Sequence, residues 1–147
     1  MTDAHEAIEQ REGLPIVILI SGRGSNMRAI AERAVQRDIP VEIRAVISDK
    51  ADAGGLAIAR SMGIEVRALS PRDFADRAAY DTALGDLVAS FQPRLVVLAG
   101  FMRILSASFI ERFSGRILNV HPSLLPKYRG LHTHRRALEG QECERGV

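Results

Sequence analysis

The chain has 147 residues, 46% of them hydrophobic and 26% charged, with a formal charge of +2. That length suits one domain with a well-buried core, and so small a net charge gives no argument for nucleic-acid binding. Its one cysteine, Cys143, excludes an internal disulfide and fits a reducing compartment.

The first 13 residues are polar and acidic, without the basic start and apolar stretch of a signal peptide. Short β-branched runs then alternate with helical patterns. Residues 16–20 are apolar throughout, with Pro15 before and Ser21-Gly22 after, which predicts a fully buried strand. Over residues 27–37, Met27, Ile30, Ala31 and Ala34 fall at helical spacing. Residues 41–48 read as a second strand, 53–62 as a helix closed by Gly63, and 64–69 as a third strand. A longer helix is predicted over 73–91, ending before Pro93, then a fourth strand over 95–99. Ser106 suits the N-cap of a short helix over 106–113, residues 116–120 form a fifth strand, and 132–138 a last helix stopped by Gly140.

Strands alternating with helices point to βαβ units. The fold class expected is α/β, doubly wound and Rossmann-like, with a mostly parallel sheet covered by helices on both faces. Residues 14–147 read as a single domain after a polar tail over 1–13, with no repeat or low-complexity segment. The apolar runs are far too short to span a bilayer, so a cytoplasmic protein without a membrane partner is expected. The chain stops at Gly146-Val147, where a further strand is due, so the sheet is expected to be incomplete at that end.

Two stretches carry chemistry. Ser21-Gly22-Arg23-Gly24-Ser25-Asn26 joins the first strand to the first helix. Glycines let backbone approach a ligand, and a helix start presents free N–H groups to an anion. The dinucleotide fingerprint would need glycine where Met27 stands, and the Walker lysine is absent. The loop therefore reads equally as a phosphate site and as a plain turn capped by serine. The second stretch is Asn119-Val120-His121-Pro122-Ser123-Leu124-Leu125-Pro126. Strand periodicity puts Asn119 and His121 on one side of a strand's carboxyl end, where open α/β sheets bind ligands. An amide and an imidazolium can both donate to an oxyanion, and the imidazole can move a proton. A structural histidine beside a turn-forming asparagine is the alternative. Near the end, Lys127, Arg129, Arg135 and Arg136, with His132 and His134 among them, form a modest basic cluster that suits an anionic small molecule or plain solvent.

Five stretches in order resemble the folate-dependent formyltransferases, in particular those acting on glycinamide ribonucleotide: residues 20–26, 48–53, 98–105, 119–126 and 130–134. The likeness covers nearly everything from Leu14 onward. It implies that Gly24, Ser25 and Asn26 hold the ribonucleotide phosphate. It implies that Met102, Arg103, Ile104 and Leu105 wall the folate pocket, that Arg77 meets the folate's glutamate tail, that Asn119 and His121 are catalytic, and that Asn119 also contacts the folate. On their own, residues 102–105 would read as packing and Arg77 as a solvated helix charge. The implied reaction is direct formyl transfer from 10-formyltetrahydrofolate, a co-substrate, to the amine of glycinamide ribonucleotide in purine biosynthesis, with no metal. The implied partners are these small molecules, with no nucleic acid; the sequence does not set the oligomeric state.

Some features depart from the family pattern. Its catalytic aspartate, which favours the charged imidazole, has no match here in Asp49, Asp52, Asp73 or Glu111. Arg129 stands where several members carry proline, and Tyr128-Arg129-Gly130 resembles methionyl-tRNA formyltransferase. That relative would add a basic tRNA-binding domain, and formyltetrahydrofolate hydrolase a regulatory domain ahead of the first strand; neither is expected here. A non-catalytic nucleotide- or folate-binding remnant is the remaining alternative. The expectation is that these 147 residues alone catalyse formyl transfer poorly or not at all, and that an open sheet edge favours aggregation. A formyl-transfer assay on the isolated chain tests this, and turnover matching a complete family member overturns it.

Overall fold

A computed structural model describes residues 13–120 of the chain. In chain order these form β1 (Leu14–Ile20), α1 (Ser25–Val35), β2 (Val41–Ser48), α2 (Gly54–Ser61), β3 (Val66–Ala68), a short 3-10 turn (Pro71–Asp73), α3 (Arg77–Ser90), β4 (Leu95–Ala99), α4 (Ala107–Arg112) and β5 (Ile117–Val120). The five strands make one sheet in the order β3-β2-β1-β4-β5, and every pairing is parallel. The chain order reverses direction between β1 and β4, which is the switch point of such sheets. The α/β, doubly wound expectation holds.

Strand alternation sorts β1 into two cores. Ile16, Ile18 and Ile20 pack with Met27, Ala31, Leu56 and Ala59 of α1 and α2 on one face. Val17 and Leu19 pack with Tyr80, Leu84, Val88, Phe109 and Phe113 on the other, under α3 and the α4 segment. Residues 16–20 are each at most 2% exposed, as a central strand covered on both faces requires.

Element ends differ from expectation where capping chemistry decides them. α1 begins at Ser25, two residues early, because Gly24 takes a left-handed conformation at its N-cap. β3 is shorter than 64–69 because Ile64 is used in closing α2. Gly63, at φ +80, donates its N–H to the Arg60 carbonyl at 3.0 Å, and Ile64 donates to Ala59 at 3.0 Å; this paired closure needs the left-handed glycine. The helix expected from 73 begins at Arg77. Ser70 Oγ instead accepts the Arg72 N–H across Pro71 in the 3-10 turn, and Asp76 Oδ1 then caps α3 by accepting the Ala79 N–H at 2.9 Å.

Because the strands are parallel, their carboxyl ends share one rim, which carries Ser21, Asp49, Leu69, Gly100 and Asn119. The cores predict a contrast in stability. Leu84→Ala, in the packed layer under α3, should cost about 2–5 kcal/mol, whereas Val35→Ala, at the exposed end of α1, should change stability by about 0.5 kcal/mol or less. Urea midpoints at constant slope measure both.

Candidate active site

The loop after β1 is built on a backbone contact between two glycines. Gly24 has φ +75, and a Cβ there would lie 2.8 Å from Gly55 Cα. A Cβ on Gly55 would in turn lie 2.5 Å from Ile20 Cδ1. Gly55 N–H also donates to the Gly22 carbonyl at 3.0 Å. The starts of α1 and α2 therefore abut at the loop. Gly24, not a serine, occupies the N-cap of α1, and no side chain caps the helix. The first-turn N–H groups of Ser25, Asn26 and Met27 are the donors such a helix offers an anion. Ser25 is exposed, Asn26 half-buried and Met27 packed in the core.

The loop after β4 is clamped at four points. Gly100, at φ +80, turns the chain at the end of the strand. Met102 N–H then donates to Ser21 Oγ at 2.8 Å. The Arg103 guanidinium lies 4.5 Å above the centre of the Tyr80 ring. Arg77 Nη2 donates to the Ile104 carbonyl at 2.8 Å. Ser106 N–H donates to Asp81 Oδ2, also at 2.8 Å. Held this way, Met102 and Ile104 present side chains that are 75% and 77% exposed, while Leu105 turns into the core. The segment thus divides between outward apolar surface and packing.

Asn119 lies near the end of β5, paired with Leu98, which pairs with Leu19 of β1. It is exposed. Alternation puts it on the same sheet face as Ile117, the face that α3 covers. Successive strands lie about 4.8 Å apart, so the loop after β4 leaves the rim between Asn119 and the glycine loop.

Around Tyr80 the site is polar and buried. Asp49 and Asp81 are both within 6% of full burial. Asp49 Oδ1, Asp81 Oδ1 and Arg103 Nε are buried without a hydrogen-bond partner among the described residues. Asp49 and Arg103 also line a cleft of about 650 Å³ with Lys50, Asp52, Ser70 and Arg72. Tyr80 O–H donates to the Leu69 carbonyl at 2.8 Å. Burial pushes the Tyr80 phenol up to about 12, with the Asp49 carboxylate adding to it, Arg103 opposing it, and Asp81 adding a smaller part.

The formyl transferase family model matches residues 14–147. The chain belongs to the formyl transferase family. It is 53% identical over 132 residues to the phosphoribosylglycinamide formyltransferase of Escherichia coli strain K12, covering 90% of this chain and 62% of that protein. The Haemophilus influenzae protein of the same name is 46% identical over the same length and coverage. Among solved structures, phosphoribosylglycinamide formyltransferase from Brucella melitensis matches with a TM-score of 0.73 and 48% identity, over 88% of this chain and 67% of that one. Glycinamide ribonucleotide transformylase 1 from Symbiobacterium toebii matches with a TM-score of 0.73 and 41% identity, over 87% of this chain and 60% of that one. The chain spans 62% of the length of these two curated relatives.

As a formyl transferase family member, the chain brings several expected residues together. The loop of Gly24, Ser25 and Asn26 and the loop of Met102 to Leu105 are joined by one hydrogen bond, and Arg77, 27 positions from Ile104, is bonded to that second loop. His121 lies outside the described residues, as do Cys143, the basic cluster and the helix expected over 132–138. The sequence reading missed Ser21, Tyr80 and Asp81 as loop supports; the only signals were a hydroxyl directly after an apolar strand and two polar groups on a largely apolar helix. Among the described residues no helix is long and apolar enough to cross a membrane, and no group of three or more His, Cys, Asp or Glu is placed to hold a metal.

The raised Tyr80 pKa fixes the sign of an alkaline effect. A proton held more tightly in the folded state adds stability that is whole below pH 10 and is lost as pH rises through about 12. Urea midpoints between about pH 9 and 12 should therefore fall more steeply for the unaltered chain than for Tyr80→Phe. Parallel curves would remove Tyr80 as the source.

Proposed function

We propose that this rim is the formyl-transfer site acting on glycinamide ribonucleotide, with 10-formyltetrahydrofolate as co-substrate. The observation that carries the reading is the direct bond between the two loops. An uncapped helix start suited to a phosphate stands beside an outward apolar wall suited to a flat heterocycle. The curated relatives' names supply the chemistry that such neighbours would serve.

In this reading the ribonucleotide phosphate accepts from the N–H groups at the start of α1 and from Ser25 and Asn26. The folate rests on Met102 and Ile104, with Arg103 and Leu105 packed behind them as the wall's backing, and its glutamate meets the Arg77 guanidinium, which has five N–H donors and spends one on Ile104. The substrate amine attacks the formyl carbon, forming a C–N bond and a tetrahedral oxyanion. The Asn119 amide and protonated His121 donate to that oxygen. The intermediate collapses as the bond to the folate nitrogen breaks. His121 gives its proton to that nitrogen as the bond breaks, and the neutral imidazole then takes the proton lost by the amine, so the charges balance. Holding both reactants on fixed loops converts an encounter into a step within one complex.

Calorimetric titration of the chain with glycinamide ribonucleotide tests the phosphate half. Asn26→Ala keeps the glycine contact and should weaken binding about tenfold, the loss of one hydrogen bond to a charged group, while leaving tetrahydrofolate binding within about twofold. No binding of the ribonucleotide, or equal binding to Asn26→Ala, would overturn the assignment.

A further inference from the structure

The two loops leave the sheet from neighbouring strands, and one buried side chain joins them. Ser21 is 3% exposed, and its Oγ accepts the Met102 N–H at 2.8 Å across 81 positions of sequence. Ser21 also begins the turn that ends at Gly24. That turn is pinned on its other side, because Gly22 accepts from Gly55 N–H and Gly24 rests against Gly55 Cα. A short turn fixed at both ends has little slack, so a change at Gly24 is passed to Ser21. The wall's other supports, from Arg77, Tyr80 and Asp81, all come from α3, and they hold Ile104, Arg103 and Ser106.

We propose that Ser21 is a positioning residue that couples the two ligand sites. An anion that orders the N–H groups at Ser25 and Asn26 steadies the turn, the Ser21 hydroxyl holds the Met102 amide more firmly, and the apolar wall is preorganised for the folate. The inference rests on the formyl-transfer reading. Coupling of this kind is reciprocal, so the folate tightens the ribonucleotide by the same factor. The supports from α3 keep the wall in place without Ser21, so removing the hydroxyl should disconnect the sites rather than abolish them.

The test is tetrahydrofolate binding to the 147-residue chain, with and without saturating glycinamide ribonucleotide. The unaltered chain should show a tightening of about fivefold or more. In Ser21→Ala both ligands should still bind, with the ratio falling to about one; Ser21→Thr, which keeps the hydroxyl, should restore it. Hydrogen exchange at the Met102 amide of the unaltered chain gives a readout that needs no variant, and glycinamide ribonucleotide should slow it. A ratio near one in the unaltered chain, a ratio unchanged in Ser21→Ala, or Met102 exchange indifferent to the ribonucleotide overturns the coupling. Failure of either ligand to bind the unaltered chain is a different result, which removes the formyl-transfer reading and the coupling with it.

Discussion

β1 is packed on both faces, and this decides where polar chemistry can occur. From Ile16 to Ile20 every side chain is shut into one core or the other. A polar group placed there would lose its hydration without compensation. The first position at which the strand can turn a hydroxyl to use is Ser21, at the rim, and there it meets an amide from the next strand's loop. A strand that is central, apolar and adjacent to the reversal of chain order thus forces the loops after β1 and β4 into one place.

The glycine contact is the second constraint, and it follows from the first. Helices α1 and α2 both cover the same side of β1, so their starts converge where Ile20 ends. Two such starts can abut only if neither carries a Cβ at the meeting point, which is why Gly24 and Gly55 are both glycines. Gly24 has an added reason in its positive φ. The same conformation removes the side-chain cap that a serine or aspartate would supply at that position, and leaves the helix's first amides for another acceptor. Packing between two helices and the absence of a side-chain cap on the first of them are therefore one requirement seen twice.

Much of this was legible in sequence. The apolar run from Ile16, the β-branched strands and Gly63 were each sufficient locally, because period and left-handed closure depend on near neighbours. Ser106 was legible as a cap for the same reason, and its Oγ does accept the Phe109 N–H. The start of α3 was misread because the apolar pattern runs on through Phe74, while Pro71 and Asp76 set two separate starts. What could not be read were the partners of polar groups distant in sequence. Tyr80 and Asp81 read simply as consecutive positions on a helix. That one would stack under Arg103 and the other would hold Ser106 depends on how α3 lies against β4, which no local pattern carries. Arg77 is the same case: its bond to Ile104 gives the loop after β4 a support that spacing alone reads as a solvated charge.

The means by which the wall is held also bears on how it would respond to its surroundings. The charged pairs found on the surface, such as Arg28–Glu32 along α1 and Arg112–Asp86 between α4 and α3, join half-exposed side chains. Pairs of that kind contribute little and are screened by salt. Among the described residues the loop from Met102 to Ser106 uses no such pair. The hydrogen bonds that tie it to Ser21 and to α3 link one backbone group to one side chain each, two of them ending on the buried Ser21 and Asp81, and the stacking of Arg103 has the closed face of Tyr80 beneath it. Contacts shielded in this way keep their strength when ions are added, because counter-ions cannot reach them. Salt acts instead on the exposed ends of the site, the helix amides and Arg77, where an anionic ligand would compete with it. Ionic strength would thus act first on capture of the ligand's charged groups, and not directly on the part-buried bonds at Ser21 and Asp81 that hold the surface between them.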